Sequence, residues 1–183
     1  MRLKLPNNSN IISLSLGIIC ALGNDPWALW YFSIFSLIIW FWLIIKNKIP
    51  KDIFKETFRF GFGYFFISLI WIVEPFFVEP WIHGWIAPIA LIALPSFLAL
   101  IWALFAFFGH YFLSSVGIVI GLSLAEYCRL YLLTGFPWAT ISYVLLDTKA
   151  EKWLSLIGPY GLSLFLLFTC FLIAFAFQTR KKL

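Results

Sequence analysis

Residues 85–108 read WIAPIALIALPSFLALIWALFAFF, twenty-four positions without an Asp, Glu, Lys or Arg. A helix needs about 20 apolar residues to cross the hydrocarbon of a bilayer. Two further runs, Trp27–Ile45 and Trp153–Phe177, are equally free of charge. Three such runs in 183 residues, with 63% hydrophobic and 11% charged positions and a mean hydropathy of +0.97, exclude an ordinary soluble domain and require an integral membrane protein. Aromatics make up 21% of the chain, ten of them Trp, which suits helices anchored at the interface between water and lipid.

Working outward from these runs, two more spans follow: 60–78, which carries Glu74, and 111–133, which carries Glu126 and Arg129. The stretch 11–23 is short. With Arg2 and Lys4 ahead of it and Ala21-Leu22-Gly23 behind, it has two readings, a cleaved signal peptide or a short span. We favour the span, turning at Gly23-Asn24-Asp25-Pro26 to return as 27–45. The expected fold is therefore all-α: a polytopic transmembrane bundle of about six spans (11–23, 27–45, 60–78, 85–108, 111–133 and 154–177) forming one domain, 1–183. No soluble domain is expected, because the longest hydrophilic interval, Lys46–Arg59, is far too small to fold alone.

Six spans put both termini on one side. Arg2, Lys4, Lys46, Lys48, Lys51, Lys55, Arg59, Arg180, Lys181 and Lys182, ten of the thirteen basic residues, then share one face, which the positive-inside rule makes cytoplasmic. This explains the net charge of +5 without nucleic acid, for which no basic groove is available. Asp25, the stretch Glu74–Trp85 and the segment 134–152 fall on the opposite face.

Few residues offer chemistry. Cys20, Cys128 and Cys170 show no metal or disulfide spacing, and His83 and His110 stand alone, so no metal site is expected. Glu74 and Glu79 each precede a proline, where the third span should stop. Ionisable groups inside spans are functional suspects. Glu126 and Arg129, three apart, share a helix face; they read either as an ion pair that pins the helix end or as a grip on a lipid headgroup or partner domain, the planar guanidinium favouring phosphate. Gly135-Phe136-Pro137-Trp138 reads on its own as an interfacial turn.

Taken in order, Glu126-Tyr127-Cys128-Arg129, Leu133-Thr134-Gly135-Phe136-Pro137-Trp138, Tyr143 and Gly158-Pro159-Tyr160-Gly161-Leu162-Ser163 resemble the membrane domain of the apolipoprotein N-acyltransferases of Gram-negative bacteria. Gly61-Phe62-Gly63-Tyr64, Trp71-Ile72-Val73-Glu74-Pro75 and His83-Gly84-Trp85 are also similar to the family, as is the placing of the Gly23–Trp27 hairpin. The resemblance implies a multi-pass protein of the bacterial inner membrane. It also implies an enzyme that moves an acyl chain from phospholipid to the α-amino group of a diacylglyceryl-cysteine at a lipoprotein N-terminus, with no cofactor. That chemistry asks for a thiolate, a base and an oxyanion donor.

In the family those groups form a Glu-Lys-Cys triad on a periplasmic nitrilase-like domain, reached after a further span. This chain ends at Gln178-Thr179-Arg180-Lys181-Lys182-Leu183, and none of its cysteines has a matching context; Ser142 also stands where the family often has glycine. The expectation is thus a truncated membrane portion, without catalytic residues and inactive by itself, with a nitrilase-like domain missing or separately encoded. Glu126, Arg129, Gly135, Phe136, Pro137, Trp138 and Tyr143 are the candidates for contact with phospholipid, with that domain or with the lipoprotein N-terminus. Two other readings stand beside it: a free-standing lipid-binding scaffold for a separate hydrolase-like subunit, and a small transporter using Glu74, Glu79 or Glu126.

Overall fold

The computed structural model describes residues 9–46, 49–132 and 135–180. Arg2, Lys4, Lys48, Lys181 and Lys182 of the basic face, and Leu133 and Thr134 of the loop motif, lie outside the described residues. The described residues contain helices and turns but no strand: α1 (Ser9–Ala21), α2 (Trp30–Ile44), α3 (Pro50–Ser68), α4 (Pro80–His83), α5 (Ala87–Cys128) and α6 (Lys152–Arg180), with 3₁₀ turns at Ile70–Phe77, Gly84–Ile86, Ile141–Leu145 and Lys149–Glu151. Among them α5 with its preceding turns and α6 are long and apolar enough to cross a membrane. α3 makes a third when taken with Ile70–Phe77, to which it is bent by 45°. α1 and α2, with 13 and 15 residues, are apolar but shorter than about 20.

The 42 residues of α5 are not one rod. Leu113 and Ser114 leave helical geometry, Ser114 at φ 55°, and the chain folds back on itself. Trp102 Nε1 donates to Glu126 Oε1 at 2.7 Å across a sequence separation of 24, which a straight helix would stretch to about 36 Å. The two arms, 87–112 and 115–128, touch through small residues. A Cβ on Gly109 would collide with the carbonyl of Gly117, one on Gly117 with the carbonyl of Gly109, and one on Gly121 with that of Phe105. The expected spans 85–108 and 111–133 leave the turn at 109–110, but the break falls at Leu113 and Ser114, and Gly109 stays helical and lets the arms approach through its missing side chain. The second arm also ends at Cys128, earlier than the expected 133.

α3 stands at the centre, between α1 and the first arm of α5. Gly61 and Gly63 lie about 200° apart around the helix, so they serve opposite neighbours. A Cβ on Gly63 would strike the Leu14 carbonyl of α1, whereas one on Gly61 would come within 3.3 Å of Ala99 on α5. α1 and α2 are joined by hydroxyl-to-carbonyl bonds, Ser33 Oγ donating to the Cys20 carbonyl at 2.5 Å and Ser36 Oγ to that of Leu16. α6 closes the bundle on α2, with Phe171 edge-on to Phe41 at 5.8 Å and Gln178 Nε2 donating to the Trp42 carbonyl at 2.6 Å.

The spans differ in detail from those expected. α3 starts at Pro50, ten residues before the apolar run, because its first turns are amphipathic: Ile53 and Glu56 are buried while Lys51 and Lys55 face outward. Buried Glu56 accepts from Ser13 Oγ at 2.6 Å and from Arg59 Nη1 at 2.8 Å. The α-geometry of α3 stops at Ser68, ahead of Glu74-Pro75. Pro75 would crowd the carbonyl of Trp71 in an α-helix, and the chain has left that geometry at Leu69. Gly158, at φ 68°, interrupts α6 after its first turns and Pro159 restarts it. The outer surface is apolar, with Phe35, Phe112 and Phe165 exposed. Such a continuous apolar exterior marks a membrane protein.

Candidate functional site

The second arm of α5 ends in a clasp. In its last turn, Glu126 Oε1 accepts from Trp102 Nε1 at 2.7 Å and from Arg129 Nη1 at 2.8 Å, while the backbone N–H of Ile141 reaches Oε2 at 3.4 Å. Arg129 Nη2 donates to the carbonyl of Phe136 at 3.4 Å and also to that of Trp138. Its Cζ sits 4.9 Å from the centre of the Phe65 ring. The chain beyond the arm thus returns to it: Gly135 N–H bonds to the Leu132 carbonyl at 2.9 Å, and Phe136 N–H to the Arg129 carbonyl at 3.1 Å.

Both charges are out of solvent, Glu126 1% and Arg129 2% exposed. A buried pair is stable only when its remaining donors and acceptors are satisfied. Here the carboxylate takes three donors and the guanidinium holds two backbone carbonyls besides the carboxylate, leaving Arg129 Nε as the one donor of the pair that is buried without a hydrogen-bond partner among the described residues. The contacts of the pair thus tie the end of the second arm to the loop.

Each neighbouring element contributes to the clasp. From α3, Phe65 lies edge-on to Trp102 at 4.6 Å and Tyr64 stacks on the same indole at 5.5 Å. From the turn between α1 and α2, Asn24 Nδ2 donates to Tyr64 Oη at 3.2 Å and to Ser68 Oγ at 2.9 Å. One polar and aromatic chain therefore joins the turn between α1 and α2, the C-terminal end of α3, both arms of α5 and the loop.

The loop faces outward from this anchor. Gly135 adopts φ 88°, and a Cβ there would meet the Leu130 carbonyl at 2.9 Å, so both conformation and space call for glycine. Pro137 offers its carbonyl to Thr140 Oγ1 at 2.7 Å. Trp138 is half exposed, with Phe136 at 5.6 Å on one side and Trp71 of the Ile70–Phe77 turn at 6.3 Å on the other. These rings form an aromatic ledge of the kind that anchors at a headgroup region. Tyr143 lies apart from the ledge, half-buried on the Ile141–Leu145 turn. Beside it on the exterior, Tyr127 Oη meets Tyr131 Oη at 3.0 Å, and the Tyr160 ring stands edge-on to Tyr127 at 5.9 Å.

The structure brings Glu126, Arg129, Gly135, Phe136, Pro137 and Trp138 into one unit. It does not gather the three carboxylates singled out for a transporter: Glu126 is locked to Arg129, Glu79 pairs with His83 at 3.8 Å on the surface, and Glu74 is exposed. Sequence reading missed Trp102 and Phe65, and it named Asn24 only as a turn residue and Trp71 only as part of a family motif. Trp102 has no local signal, since it is one tryptophan in a charge-free run and its partner lies 24 residues on. Cys20 and Cys170 are buried thiols and Cys128 is half-buried.

Residues 16–172 match the family model described as the apolipoprotein N-acyltransferase N-terminal domain. The chain is 32% identical over 165 residues to the apolipoprotein N-acyltransferase of Rhodopseudomonas palustris, an alignment covering 84% of this chain and 31% of that protein. It is 29% identical over 164 residues to that of Brucella suis, covering 80% and 30% respectively. With the Sinorhizobium fredii protein it shares 29% identity over 143 residues, covering 69% and 27%. The chain thus spans about a third of the length of the curated relatives it matches.

Proposed function

We propose, because this chain belongs to the apolipoprotein N-acyltransferase N-terminal domain family, that it forms the membrane-embedded part of a lipoprotein N-acyltransferase. Such an enzyme transfers an acyl chain from phospholipid to the N-terminal diacylglyceryl-cysteine of an apolipoprotein. The chain crosses a bacterial inner membrane six times with both termini in the cytoplasm, the α1–α2 hairpin inserting despite its short helices. The Gly135–Trp138 loop faces the periplasm. There it holds a ledge against the headgroup layer on which a nitrilase-like domain and the acyl donor meet.

The observation that carries this reading is the buried Glu126–Arg129 clasp, which fixes the backbone of Phe136 and Trp138 while leaving the indole of Trp138 half exposed. A rigid loop bearing exposed aromatic rings is what positioning at an interface requires. By themselves these residues are inactive in acyl transfer on this reading. Acyl transfer needs a reachable thiolate with a base beside it, whereas the Cys20 thiol is buried against the Ser33 carbonyl, Cys170 is buried in α6, and the half-buried Cys128 thiol has no hydrogen-bond or ion-pair partner among the described residues.

The test expresses the chain in cells depleted of their own N-acyltransferase and reads the acylation state of a reporter lipoprotein by mass spectrometry. No triacylated product is expected, and its appearance overturns the inactivity. In the same membranes, a phospholipid with a photoactivatable headgroup is expected to label peptides containing Trp71 and Trp138. Labelling restricted to the Lys46–Arg59 face overturns the placement of the ledge.

A further inference from the structure

The opposite end of α3 carries a second feature that the clasp and loop do not use. Lys51, Phe54 and Lys55 fall on one face of the helix, and Leu104, Phe107 and Phe108 repeat the same spacing on the first arm of α5. Together these six residues line a groove of about 390 Å³. A second groove, of about 500 Å³, shares Leu104 and Phe108 with it and continues across Gly121 and Leu124 of the second arm. Leu104 and Phe108 form the wall the two grooves share, and the first of them, the α3–α5 furrow, is apolar except for Lys51 and Lys55 at its mouth.

Among the described residues neither Lys51 nor Lys55 forms an ion pair. Both lysines are exposed. The Glu56 carboxylate is turned inward to Ser13 and Arg59; Asp52 is the remaining acidic group on these turns, and it is half-buried. Lys46 lies elsewhere, its Nζ 3.8 Å from the ring centre of Trp42. The N-terminal end of α3 adds the positive end of its dipole. Two cations beside a furrow lined by Phe and Leu match one ligand chemistry, a phosphodiester joined to an acyl chain. Lysine can lay its aliphatic stem along an apolar wall while its ammonium group stays in the headgroup layer.

We infer that the α3–α5 furrow is a binding site for an anionic phospholipid, its phosphate held between Lys51 and Lys55 and one acyl chain seated against Phe54, Leu104 and Phe108. The site is separate from the acyl-transfer ledge, since Lys55 precedes Phe65 by ten residues, about 15 Å along α3. It therefore stands or falls without the proposal above.

The test measures lipid retained by the purified full chain in mild detergent, using native mass spectrometry with dioleoyl phosphatidylglycerol or dioleoyl phosphatidylcholine. Retention of phosphatidylglycerol is expected to exceed that of phosphatidylcholine by about tenfold at low salt. The Lys51→Gln/Lys55→Gln variant, altered only at exposed positions, should lower phosphatidylglycerol to the phosphatidylcholine level. Lys46→Gln should leave the preference in place, and Leu104→Trp, which fills the furrow, should reduce phosphatidylglycerol retention with both lysines present. Equal retention of the two lipids by the unaltered chain, an unchanged preference in the double-lysine variant, or an equal loss in Lys46→Gln would each overturn the inference.

Discussion

At the scale of single residues, Arg129 decides what the Gly135–Trp138 loop can be. Its guanidinium is shared between a carboxylate and two backbone carbonyls, so removing it leaves Glu126 buried without its cation. Breaking one partner of such a pair costs about 3–5 kcal/mol, while replacing both by apolar groups of similar size is far milder. Arg129→Ala should therefore lower the thermal unfolding midpoint of the detergent-purified protein sharply. Glu126→Leu/Arg129→Met should recover most of that loss while leaving the loop untethered, visible as faster limited proteolysis within 135–145. An Arg129→Ala variant as stable as the parent, or a double variant with a protected loop, refutes the clasp. The i,i+3 pair was legible in the sequence as a choice between pinning and gripping. Its partner Trp102 was not, because pairing across a hairpin leaves no local trace.

At the scale of elements, glycines set how closely helices lie. In lipid, apolar side chains give little preference for helix over solvent, so close backbone packing carries much of the association. Gly109, Gly117 and Gly121 hold the two arms of α5 together, and Gly61 and Gly63 seat α3 between its neighbours. A methyl group at Gly117 has nowhere to go, so Gly117→Ala should cost about 1–3 kcal/mol by forcing the arms apart. Gly84 is the control: its added Cβ meets only Pro80, at 3.7 Å, and Gly84→Ala should stay within about 0.5 kcal/mol. Equal thermal shifts for the two variants would show that the arms are not in contact. Apolar run lengths marked where helices lie, yet they misplaced the α5 turn. A Gly-His pair after a long run looks like a break, whereas the break falls at Leu113 and Ser114 and the glycine serves the contact.

At the scale of the whole molecule, the expected topology is a statement about sides. With Cys20, Cys128 and Cys170 replaced, a cysteine introduced by Trp81→Cys should react with a membrane-impermeant maleimide in intact spheroplasts, since position 81 is 97% exposed. One introduced by Lys46→Cys should react only after permeabilisation. Labelling of both from the same side would reject the six-span arrangement. The sequence by itself determined that the chain is helical and membrane-embedded and which family it resembles, because hydropathy and charge are sums over local residues and the bilayer reads them directly. Only the tertiary structure decided that Glu126 and Arg129 are buried, that Trp102, Phe65 and Asn24 build the support behind the loop, and that Lys51 and Lys55 border a furrow. Each of these depends on which helix faces meet. Those meetings are fixed by the absence of side chains at a few glycines and by bonds between residues far apart in the chain.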